Sequence, residues 1–65
     1  METSDTAARL RFIHHLSSMT EDGRSNVLRI ESDSELQVLW EMAFLDKWVD
    51  VAASIEVEAN RRGQF

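Results

Sequence analysis

One stretch constrains this chain more than any other: Leu36 to Ala59, which carries both tryptophans and is interrupted only by single polar residues. No proline occurs anywhere, and the two glycines, Gly23 and Gly63, lie outside it. Nothing in the segment breaks a helix, so a helix over about 33–60 is expected. At 1.5 Å per residue it spans roughly 40 Å. An ordinary surface helix has one apolar stripe and one polar face. Here the apolar residues sort into two rows. The first is Val38, Met42, Leu45, Val49 and Ala52, stepping four, three, four, three like a heptad seam. The second is Leu36, Trp40, Phe44, Val51 and Ile55, with Trp48 between the rows.

The start of this helix is well marked. Ser32-Asp33-Ser34-Glu35 reads as a capping box, with Ser32 capping the free amides and Glu35 reaching back to it. Arg61 and Arg62 suit a helix C-terminus, and Gly63 follows as the stop. Upstream, a first helix over about 5–20 is expected, capped by Ser4 or Asp5. Phe12, Leu16 and Met19 share one of its faces, flanked by Ala8 and Ile13. Glu21-Asp22-Gly23 should end it. In the connector 21–31, Val27, Leu28 and Ile30 could make a short helical turn or an extended stretch. A lone strand would have no partner in this chain, so a short helix or ordered loop that plugs the core is favoured. The expected fold is all-α: one small domain, a helical hairpin with a short first helix, a connecting turn, a long second helix and a short tail at 61–65.

Length then decides what the second apolar row needs. With 65 residues, a chain buries only roughly 60% of its unfolded surface. Small domains rely on disulfides, a metal or oligomerisation. There is no cysteine, which removes disulfides and thiolate metal sites and fits a reducing, cytoplasmic setting. A homodimer along the long helix is therefore the expectation, one row taking the first helix and the other a second copy or a different protein. Trp40 and Trp48 serve as core fillers or as interface anchors.

Chemistry is harder to place. His14-His15 points in two directions 100° apart, and the residues four further on are Ser18 and Met19, so no metal is expected. The serines show no spacing of a catalytic triad. Glu41, Asp46, Asp50, Glu56 and Glu58 lie on a regular helix and close no acid–base site. No enzyme activity and no cofactor are expected. Asp46 and Asp50, four apart on one helical face, are the candidate contact for a basic partner.

The net charge is −5, of which −4 falls in residues 32–65. That disfavours direct nucleic-acid binding, where Lys and Arg supply most of the affinity, and suits a basic protein partner. The start, Met1-Glu2-Thr3-Ser4-Asp5, has no basic region followed by an apolar stretch, so no secretory signal is expected. Charges at 41, 46, 47, 50, 56 and 58 exclude the apolar segment as a membrane span.

Ser32-Asp33-x-Glu35-Leu36-x-Val38-Leu39-Trp40-x-x-Ala43 resembles the start of the long central helix of the Hha/YmoA family. Asp5-x-x-x-Arg9-Leu10-Arg11 resembles that family's first-helix motif, at nearly the same distance. Together they cover roughly residues 4–43. The resemblance implies a small cytoplasmic all-helical bacterial regulator that binds H-NS-type nucleoid proteins and modulates gene silencing. The family's partner-binding run, alanine-alanine-aspartate-histidine-arginine, reads here Met42-Ala43-Phe44-Leu45-Asp46 and matches only at Ala43. The family's aromatic C-terminal tail is missing. Its partner-binding residues are therefore not carried over.

The functional expectation is a regulatory protein that binds an unidentified protein and modulates it, with transcription or a nucleoid-associated protein as the leading target. The candidate interface residues are Val38, Met42, Leu45, Val49, Ala52, Trp40, Phe44 and Trp48, with Asp46 and Asp50 as acidic contacts. The alternatives are a small structural subunit of a larger complex and an acidic DNA mimic that acts as an inhibitor.

Overall fold

The computed structural model describes residues 2–64, with side chains from residue 5 onward. Among these residues the chain forms four helices and no strand: α1 (Glu2–Ser17), α2 (Glu21–Leu28), α3 (Asp33–Leu45) and α4 (Val49–Arg61). The expected two-helix hairpin is therefore replaced by a four-helix fold. Its greatest principal extent is 31 Å, too short for the single 40 Å helix read from the sequence.

The long helix breaks at 46–48. Lys47 takes φ 63°, the left-handed conformation. Its N–H donates to the Phe44 carbonyl at 3.2 Å, and the Trp48 N–H donates to the Ala43 carbonyl at 2.8 Å. These two bonds make a Schellman turn, which satisfies the last carbonyls of α3. Glycine usually holds the left-handed position; here lysine does. The C-terminal stop follows the expected pattern: Gly63, at φ 80°, donates to Asn60, and Gln64 donates to Ala59.

The first helix also differs, while the connector holds a short helix, α2, that puts Leu28 into the core, as expected. α1 begins at Glu2, so Asp5 lies inside it and is not its cap; the Ser4 side chain is outside the described part. α1 ends at Ser17, before Gly23. Gly23 instead sits in the first turn of α2. There the Thr20 hydroxyl caps the helix by accepting from the Gly23 N–H at 3.2 Å. A Cβ at position 23 would approach Thr20 Oγ1 to 3.3 Å, so the glycine fits the close cap. Half of the expected capping box forms. Ser32 Oγ accepts from the Glu35 N–H at 3.1 Å. The Glu35 carboxylate does not reach back, because Arg9 on α1 takes both its oxygens at 2.9 and 3.2 Å.

Packing follows from these breaks. α4 turns back antiparallel on α3, so Trp40 meets Glu56 and Leu36 lies beside Ala59. α1 crosses both helices and α2 packs on α4. The core gathers Ile13 and Leu16 from α1 and Leu28 from α2. It also takes Leu36, Leu39 and Ala43 from α3, and Val51, Ala52 and Ile55 from α4. Phe12 and Met19 pack against it part-buried, whereas Ala8 is exposed.

A buried carboxylate ties the far end. Glu58 is 3% exposed. It accepts from Arg61 at 2.6 and 3.2 Å and from Arg62 Nε at 2.7 Å. These bonds, first from Arg61 and then from Arg62, pull its pKa from 4.5 to about 2 despite the opposing cost of burial. The Arg62 guanidinium continues to Asp33 Oδ1 at 2.8 Å and to the carbonyls of Leu28 and Arg29 at 3.1 and 2.9 Å. It thus joins the end of α4 to the start of α3 and closes the open carbonyls of α2.

Candidate docking surface

The heptad seam does not survive the break at Lys47. Of its members only Ala52 is buried, and Met42 packs part-buried against the core. Val38 is exposed. The core line on α3 is Leu36, Leu39 and Ala43, which belongs to neither expected row as a set. Past the break the numbering no longer keeps a residue on its former face, because continuity of the helix was what aligned 38 with 52.

What the turn does instead is collect apolar side chains at one corner. Phe44 is 61% exposed, Leu45 79% and Val49 71%. They border an open groove of about 650 Å³ between α3 and α4. Ala43, Ala52 and Ala53 also line it, with Lys47 and Glu56 at its edges. Small side chains let another backbone come close, and the bulky residues beside them offer contact area. Single exposed apolar residues, such as Ile30 at 84%, are ordinary; a contiguous group is the informative case.

Aromatic side chains brace the corner. The Trp40 indole Nε1 donates to Glu56 Oε2 at 2.8 Å, bridging the two helices behind the groove. The Trp40 ring stacks on Phe44, centroids 5.2 Å apart. Trp48 lies part-buried against the core, and the His14 ring meets it edge-on at 4.5 Å. Trp48 therefore anchors the turn to α1, while Trp40 and Phe44 form the aromatic wall.

Asp46 and Asp50 do not share a helical face, correcting the expectation. Asp46 caps α3 and Asp50 sits in the first turn of α4, with the turn between them. Both are exposed. Asp50 complements the positive end of α4, which has no side-chain cap. Glu41, one turn before Leu45 on α3, is exposed too.

Little else among the described residues offers chemistry. No three His, Cys, Asp or Glu side chains gather as a metal site. Every buried side-chain nitrogen or oxygen has a hydrogen-bond partner. No helix is long and apolar enough to cross a membrane. No protein-family model, curated protein or solved structure matches the chain.

The corner itself was missed in the sequence. The sequence pattern sets Phe44 on one row of a single helix and Leu45 and Val49 on the other. The missing signal was the turn, and Asp46-Lys47 carries no glycine or proline to announce it.

Proposed function

We propose that this chain is a non-enzymatic regulatory protein that acts by contact. It docks on another protein through the α3–α4 corner and alters that protein's activity or assembly. One observation carries the reading: Phe44, Leu45 and Val49 stand exposed around an alanine-lined groove, while the core closes without them. A small domain gains no stability from exposing three large apolar side chains together. A partner that buries them recovers roughly 25 cal/mol per Å² of apolar surface.

The leading version is a cytoplasmic modulator of bacterial or phage type, acting on transcription or on a nucleoid-associated protein. The resemblance over residues 4–43 supports it, as does the absence of cysteine. The expected homodimer along a long helix has no such helix to pair along. The acidic-mimic reading is weakened by internal pairing: Asp33, Glu35 and Glu58 are all engaged by the chain's own arginines.

Site-specific photo-crosslinking in the source cell tests the reading. A photoreactive residue at Leu45 should give a discrete adduct with another protein, and one at Ile30 should not. Val49→Asp should remove the adduct. Equal labelling from both positions, or none from Leu45, would overturn the docking role of the corner.

A further inference from the structure

The charge around the groove says what kind of partner fits it. Among the described residues lining the groove only Lys47 and Glu56 are charged, and Trp40 already donates to Glu56. Outside the lining, Glu41, one turn before Leu45, and Asp46, next to it in sequence, are exposed carboxylates. Lys47 is the one cation among the described residues lining the groove. The whole chain adds a net charge of −5. Two copies, each at −5, repel one another as they approach. A basic occupant meets complementary charge.

Shape narrows the choice further. The groove runs between two antiparallel helices; α1 packs on both of them and α2 on α4, and neither contributes a lining residue. On α4 its residues are Val49, Ala52, Ala53 and Glu56, at i, i+3, i+4 and i+7, so it follows one helical face for two turns. An amphipathic helix laid in such a groove docks through bulky residues at the same spacing.

We infer that the α3–α4 groove receives an amphipathic helix of a basic protein, its apolar face on Phe44, Leu45 and Val49 and its Lys or Arg flank on Glu41, Asp46 and Glu56. This inference rests on the corner being a docking surface. It adds the occupant's chemistry.

Two synthetic helices of about four turns test it. Both carry leucines at i, i+3, i+4 and i+7; one is flanked by Lys and Arg, its twin by Glu. Amide NMR signals of the full chain are followed during titration. The basic helix should move signals within residues 43–56 and bind about tenfold tighter than its twin at low salt. Raising the salt should narrow the gap. Val49→Asp should abolish binding, and the exposed pair Glu41→Lys with Asp46→Lys should level or reverse the preference. Equal binding of the twins, or shifts elsewhere, would overturn the inference. Concentration-dependent shifts at 43–56 without peptide would also overturn it, by making a second copy the occupant. If neither helix binds while Leu45 still crosslinks in the cell, the occupant is wrong and the docking role stands. If both fail, both are wrong.

Discussion

Lys47 sets the geometry on which the rest depends. A side chain in the left-handed region meets its own backbone, at a cost of roughly 1–2 kcal/mol relative to a right-handed residue. Glycine removes that contact. Lys47→Gly should therefore stabilise the fold by about 1 kcal/mol, read as a higher midpoint in urea unfolding. In an unbroken helix the same change would cost about 1 kcal/mol, so the sign alone separates the two structures. Glu58 is the second decisive residue. Its folded-state pKa of about 2 lies below the ordinary 4.5. Its contribution is thus complete above about pH 4.5 and is lost as pH falls through 2. Glu58→Gln keeps the shape but removes the charge that two arginines share. It should cost about 1–3 kcal/mol at neutral pH and flatten the stability profile between pH 4.5 and 2.

At the scale of elements, the all-helical class was legible and the division into helices was not. Apolar spacing and the lack of proline identified helices, and Ser32 and Gly63 marked two ends correctly, because hydroxyl caps and left-handed glycines act through local geometry. Gly23 misled for the same reason in reverse. As the first glycine after an apolar run it read as a stop, but Thr20 uses its small size to cap the next helix. Lys47 gave no signal, since a lysine ordinarily favours a helix interior. Its conformation is repaid by what it allows: Val51, Ala52 and Ile55 fold back onto Leu36, Leu39 and Ala43. That gain is tertiary and non-local. The Arg62 clamp was equally hidden. The sequence placed Arg62 near a helix end, but its partners Asp33, Leu28 and Arg29 lie about thirty residues away, beyond the reach of periodicity. The three acids and bases at 58, 61 and 62 then close a network that local rules saw only as favourable end charge.

Across the whole molecule, the break turns an apparent excess of apolar surface into a finished core and one open corner. Two rows on a straight helix demanded a second chain along its full length. Folded back, α3 and α4 bury most of the second row between them and leave Phe44, Leu45 and Val49 outside. The apolar surface left uncovered shrinks from a 40 Å seam to a two-turn groove, and the function proposed here depends on that groove existing. The most direct measurement is a spin-label distance between positions 37 and 60, both exposed, with labelled chain diluted in unlabelled chain to remove distances between copies. Adjacent antiparallel helices pack about 8–10 Å apart, so the account expects a distance below roughly 20 Å with label length included. A single continuous helix would place the two positions roughly 35 Å apart. That result would remove the corner, the groove and the docking function together.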